Sequence, residues 1–149
     1  MADLLSTRIF ESTKTAMKAR DKQRVGILRL MSADIKRVEI DERRTLSDDD
    51  VVVVLNRMIK QRQDSESQFR NAGRIDLADQ EAYEIVVIRE FMPSALSDAE
   101  IDALIEAAIE ESGAASARDM GKVMALLRGK LTGRADMSAV SNRVKARLA

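Results

Sequence analysis

Neither cysteine, histidine nor tryptophan occurs in these 149 residues, and there is one proline, one tyrosine and three phenylalanines. Without cysteine there can be no disulfide, thiolate metal site or cysteine nucleophile, and a reducing compartment fits. Without histidine the commonest general base and the commonest metal ligand are both gone. A nucleophile would have to be Ser, Thr, Lys, Asp or Tyr, activated by a lysine or a carboxylate. Nothing in the chain has the form of a P-loop, a dinucleotide fingerprint, a nucleophile elbow or an amidase Ser-Lys pattern. No catalytic residue, cofactor or metal is therefore assigned. Long apolar runs are missing too: Val51 to Leu55 is five residues, far short of a membrane span. The opening MADLLSTRIF has no continuous apolar stretch of the signal-peptide kind. A cytoplasmic protein without a membrane partner is expected.

What remains favours helix. Six glycines and the single proline leave long uninterrupted segments, and Ala, Leu, Glu, Arg, Lys and Met are strong helix formers. The fold class read from this is all-α and multihelical, with seven helices at about 3–19, 22–43, 48–71, 76–91, 98–112, 118–132 and 137–148. Ser47-x-x-Asp50, Ser97-x-x-Glu100 and Ser116-x-x-Asp119 each have the form of a capping box. Val51–Val54 and Ile85–Ile88 are β-branched enough for strands, but each lies within a charged, proline-free helical segment. The triple aspartate 48–50 suits a first helical turn better than a magnesium site, because consecutive helical residues point in different directions. Gln61–Gln68 is polar on every face, which predicts a projecting or partner-covered helix portion. Glu81 and Glu84 share a helix face and are expected to be solvated carboxylates, with Tyr83 half-buried between them.

The residue before a proline avoids the α region, so Phe91-Met92-Pro93 should end the fourth helix. This divides the chain into an N-terminal helical subdomain, 1–93, and a small C-terminal three-helix subdomain, 94–149. Charge is uneven although the total is zero. Residues 93–119 carry one basic and seven acidic residues, and 120–149 carry seven basic and one acidic. A polyanion partner for the tail and simple packing of acidic against basic helices explain this asymmetry equally well.

The tail itself is the most informative stretch. On a helix at about 100° per residue, Met120, Val123, Met124, Leu127 and Leu131 form one apolar stripe. Gly121, Ala125 and Gly129 form a second stripe away from it. Each helical glycine costs roughly 1 kcal/mol against alanine, and its use is close approach by another backbone. Lys122 and Arg128 flank this stripe, which suggests a phosphate backbone. In the last helix Met137, Val140, Val144 and Leu148 face inward, leaving Arg143, Lys145 and Arg147 outward. No aromatic residue follows Phe91, so stacking of single-stranded bases is not available, and any RNA would be met through its sugar-phosphate and shape. A helix-turn-helix reading of Lys130–Ser138 fits poorly, since the connection is long and only Asn142 is a typical base reader.

Several of these segments carry a resemblance. Gly121-Lys122-Val123-Met124, Gly133-Arg134-Ala135-Asp136 and the basic helix ending Val144-Lys145-Ala146-Arg147-Leu148 resemble the closing signature of the GatB/YqeY family. Phe69 to Ala78, with Gly73-Arg74-Ile75-Asp76-Leu77, is similar to its aromatic-x-x-x-Gly-Arg-x-Asp-Leu element. Glu81, Glu84 and Phe91-Met92-Pro93 resemble its Glu-spaced helix and aromatic-Leu-Pro corner, with Met92 departing from the usual leucine. The resemblance spans nearly the whole chain and is to the small bacterial YqeY proteins. It extends to the tail domain of the B subunit of the tRNA-dependent amidotransferase. It implies a non-catalytic, tRNA-associated binding module whose partners are tRNA or another structured RNA, and a tRNA-processing or aminoacylation enzyme. Carbon–nitrogen ligase activity with glutamine as amide donor is implied by membership alone. On charge by itself a solvated basic face is the slightly better reading, and the resemblance reverses that. The expected RNA-binding set is Gly121, Lys122, Arg128, Lys130, Gly133, Arg134 and Arg143. The alternative is a protein-interaction adaptor whose small-residue stripe docks a helix.

Overall fold

A computed structural model describes residues 4–149. Seven helices follow one another, α1 (Leu5–Lys18), α2 (Lys22–Glu42), α3 (Asp48–Asn71), α4 (Ile75–Arg89), α5 (Asp98–Ser112), α6 (Met120–Leu131) and α7 (Met137–Leu148). A 3₁₀ turn, Ala117–Asp119, leads into α6. Among the described residues there is no strand, only an isolated bridge between Thr132 and Ala135. The fold is all-α, and the β-branched runs Val51–Val54 and Ile85–Ile88 are both helical. The proposed first residue of the opening helix, 3, lies outside the described residues.

The chain divides into two compact units, Met1–Met92 and Pro93–Ala149. In the first, Leu5, Ile9 and Ala16 of α1, Ile27, Leu28, Met31 and Ile35 of α2, six apolar residues of α3 and Ile85, Val87 and Ile88 of α4 form one core. Phe91 closes it, and Met92 packs against it. Local chemistry explains where the helices begin. Ser47 and Asp50 form the full capping box of α3. α1 has no side-chain cap of its own. Instead the Leu5 N–H donates to Asp48 Oδ1 at 2.9 Å, so one aspartate of the triple serves a helix 43 residues away. The Leu46 N–H donates to Glu39 Oε2 at 3.0 Å, tying the α2–α3 loop back onto α2. α3 and α4 form the main hairpin. It turns at Gly73, whose φ of 75° is the left-handed conformation that side chains other than glycine's resist.

The polar stretch Gln61–Gln68 stays out of the core, as expected: five of its eight residues are exposed, and Arg62, Ser65 and Glu66 are half-buried. One expectation needs correction here: Glu84 is not a solvated carboxylate. It is buried on α4, with its Oε2 3.7 Å from Arg62 Nε. That gap is too long for a hydrogen bond, and Arg62 Nε is buried without a hydrogen-bond partner. Burial pushes the Glu84 carboxyl above its usual range, and the Arg62 charge only partly opposes this. Periodicity missed the pair because a buried charge on a mostly polar helix face looks like a surface charge. Tyr83 is half-buried against the core, as expected.

In the second unit Ile101, Ile105 and Ala108 of α5 pack with Val123, Met124, Leu127 and Leu131 of α6 and Val140, Val144 and Leu148 of α7. Both apolar stripes read from the sequence thus face this core. Ser97–Glu100 and Ser116–Asp119 each form a complete capping box. α5 ends at Gly113, whose φ is 68°.

Candidate nucleic-acid interface

α6 presents its core face through Val123, Met124, Leu127 and Leu131 and leaves Gly121, Lys122, Ala125, Arg128, Gly129 and Lys130 exposed. A Cβ added at Gly121 or at Gly129 would meet nothing within 4 Å. Neither glycine is there to let a neighbouring helix of this unit pack closely. The stripe is an open strip of backbone about 12 Å long, from eight residues at about 1.5 Å each. Helical geometry sets Arg128 along one edge of the strip and Lys122 along the other.

The cations around the strip differ in how free they are. Lys122 Nζ lies 3.8 Å from Asp119 Oδ1, with 70% of its side chain exposed. Such an exposed pair contributes little and leaves the ammonium available. The Asp119 carboxyl is lowered chiefly by the Ala115 and Ser116 N–H groups, which hold it in the cap. Arg128 and Lys130 have no acidic partner among the described residues. Gly133 takes a φ of 81° in the α6–α7 turn, directly after α6. Arg134 is fixed in that turn: its Nε donates to Ser94 O at 3.2 Å, and its own carbonyl accepts from the Leu96 N–H at 3.0 Å. The rest of the Arg134 guanidinium has no partner among the described residues.

Arg143 stands apart from this group. Its guanidinium is 2.7 Å from Asp102 Oδ1 and 2.9 Å from Asp98 Oδ1, and the Asp102 hydrogen bond is the main reason its basicity is raised. Arg147 pairs likewise with Glu106. Both were expected outward. The structure instead stacks the basic edge of α7 along acidic α5, so Asp98, Asp102 and Glu106 are structural partners that a helix-by-helix reading missed. The opposed charges of 93–119 and 120–149 were the signal for them. Lys145, on the other side of α7, stays exposed and has no acidic partner among the described residues. The site residues therefore fall into an exposed α6 group with the following turn (Gly121, Lys122, Arg128, Lys130, Gly133 and Arg134) and one residue, Arg143, already held within the unit.

No group of three or more acidic side chains that could hold a metal ion occurs among the described residues. No described helix is long and apolar enough to cross a membrane. The arrangement offers cations and open backbone.

Comparison with known sequences sets this surface in a family. A Pyrenophora tritici-repentis protein named altered inheritance of mitochondria protein 41, mitochondrial, is 28% identical across 93% of this chain and 77% of its own length. A Vanderwaltozyma polyspora protein of the same name is 34% identical across 62% of this chain and 52% of its own. A Schizosaccharomyces pombe protein described as uncharacterized is 34% identical over 83 residues, 68% of its length. The family model described as Yqey-like protein matches residues 6–148, from the first turn of α1 to the end of α7. With both units and the whole α6 strip inside that match, the chain belongs to the YqeY-like protein family.

Proposed function

We propose that the second unit is a non-catalytic module that binds tRNA, or another structured RNA, through the α6 strip and the turn after it. One observation carries the reading: Gly121 and Gly129 leave open backbone flanked by the cations Lys122 and Arg128. A sugar-phosphate chain can approach such a strip closely while ammonium and guanidinium groups replace its counterions. Lys130, in the last turn of α6, and Arg134, in the turn after it, extend the same surface. Arg143 is left out of the proposed set because its guanidinium is already satisfied. The resemblance to the amidotransferase B-subunit tail points to tRNA, and to an aminoacylation or tRNA-processing enzyme as the associated catalyst. Carbon–nitrogen ligase chemistry would then belong to that enzyme and not to this chain. Such a module would act where tRNA is charged, in a cytoplasm or, as the names of two relatives suggest, in a mitochondrion.

The test is filter binding of mixed tRNAs to the intact protein at two salt concentrations. The wild type should bind in a salt-sensitive way. Lys122→Ala and Arg128→Ala should each lower the salt slope by about one. Arg143→Ala should leave the slope unchanged. The triple change Lys122→Glu, Arg128→Glu, Lys130→Glu should abolish binding with the helix content intact. Gly129→Ala should keep or slightly raise stability, by up to about 1 kcal/mol. If the wild type shows no salt-sensitive binding, or the triple variant binds equally well, the adaptor reading replaces this one.

A further inference from the structure

The first unit has a second unoccupied surface, at the turn between α1 and α2. Met17, Arg20, Lys22, Val25, Gly26 and Arg29 line an open groove of about 450 Å³. We infer that this groove docks an acidic amphipathic helix of a partner protein. An apolar side chain of that helix would sit over Gly26, with its carboxylates meeting Arg20, Lys22 and Arg29.

Charge supplies the first half of the argument. Three of the six lining residues are cations, and none of the three has an ion-pair partner among the described residues. Other cations of the same helix do: Arg24 is 2.7 Å from Glu90 and Arg37 is 3.0 Å from Asp34. Asp21, the acid of this turn, caps α2 by accepting the Arg24 N–H, and its single charge offsets at most one of the three cations. The groove therefore carries net positive charge, which a complementary partner meets with carboxylates or phosphates.

The floor supplies the second half. It is apolar at Met17 and Val25, and it is open at Gly26, where an added Cβ would meet nothing within 4 Å. The apolar surface continues along both helices. Phe10 is 56% exposed seven residues before Met17, and Leu30 is 48% exposed four residues after Gly26. A bare polyanion such as RNA gains nothing from these methyl and thioether groups. A bilayer takes a continuous apolar helix face, whereas here that face is interrupted by Gly26, with Lys22 and Arg29 on the same helix. Five of the six lining residues are exposed, so the groove is too open to enclose a small molecule. An acidic helix with one apolar ridge meets each of these conditions through helix-in-groove recognition. Met17 supplies the adaptable contact that thioethers give such grooves.

The experiment titrates the intact protein into a labelled synthetic helix with leucines at i, i+3, i+4 and i+7 and glutamates elsewhere, read by fluorescence anisotropy. The wild type should bind it. Gly26→Leu, which fills the groove with a better helix former, should weaken binding by about tenfold or more. The triple change Arg20→Glu, Lys22→Glu, Arg29→Glu should do the same, and both variants should melt like the wild type. Control peptides with alanine for leucine, or glutamine for glutamate, should bind at least about tenfold more weakly. Binding of mixed tRNAs should be unchanged by Gly26→Leu, which separates this inference from the RNA reading of α6. The proposal is overturned if the wild type does not bind the peptide or both variants bind it as tightly as wild type. It also fails if the alanine control binds equally well. Capture of phosphatidylserine vesicles that Gly26→Leu abolishes would make the groove a membrane face instead.

Discussion

The two units of this chain handle charge in opposite ways. The first buries an ion pair, Arg62 with Glu84, at side-chain exposures of 14% and 12%. It also leaves Arg20, Lys22 and Arg29 on its surface without an ion-pair partner among the described residues. The second keeps its ion pairs at the rim, where Asp98, Asp102 and Glu106 of α5 hold Arg143 and Arg147 of α7. Its unpaired cations lie on and around α6. In both units the strongly charged stretches of sequence are partly cancelled once the helices pack, and the cations left over mark the surfaces able to take a partner. Counting charges along the chain overestimates such a surface. Counting those without a partner in the fold gives its extent.

The units differ most in the size of their cores, and the largest expected effect tests that difference. Leu127→Ala removes a fully buried side chain from the smaller core and should cost about 4 kcal/mol. A three-helix unit of this size has little stability in reserve. Hydrogen exchange should therefore lose protection at Val123 and Val144 while Leu55 and Ile88 keep theirs. Equal loss in both units would show that they unfold as one, and the contrast between two cores would not hold.

The next effect concerns the buried pair. Glu84→Ala leaves the Arg62 guanidinium without its counter-charge and should cost about 3 kcal/mol, the lower end for breaking a buried pair. The double change Arg62→Met, Glu84→Leu should recover most of that loss, since apolar residues of similar volume pack the α3–α4 seam without a desolvation penalty. Urea denaturation of both single variants and the double variant forms the required cycle. If Arg143→Ala, at the rim of the second unit, costs as much as Glu84→Ala, then burial is not what separates the two kinds of pair.

The smallest effect compares two of the three capping boxes, those of α3 and α5. Asp50 caps α3 and also binds Arg44 at 2.7 Å, and these contacts, Arg44 first, hold its carboxyl at about 2. A carboxylate lowered in the folded state stabilises above its ordinary value of 3.8 and loses that contribution as the pH falls through about 2. Asp50→Asn should therefore cost about 1 kcal/mol at pH 6 and progressively less toward pH 2. Glu100→Gln in the cap of α5, which has no arginine in place of Arg44, should cost less at pH 6. Urea midpoints of both variants and the wild type at pH 6, 3 and 2 check this. A pH-independent cost for Asp50→Asn would remove the Arg44 contact from the explanation.

Most of the architecture could be read before any coordinates. The seven helices, the three capping boxes and the apolar stripes of α6 and α7 depend on contacts within four residues along one helix, and residue spacing reports those directly. The glycine strip of α6 was legible for the same reason. Four features were not legible: the first three join residues far apart in the chain, and the fourth depends on how two successive helices meet at their turn. They are Asp48 capping α1, Glu84 buried beside Arg62, Arg143 held by α5, and the cationic groove at the α1–α2 turn. A carboxylate or guanidinium has the same local pattern whether its partner is water, a backbone N–H or an opposite charge on another helix. Its identity and spacing therefore fixed which helix face it occupies. Only the packing of one helix against another decided whether its charge was spent inside the fold or left free for a partner.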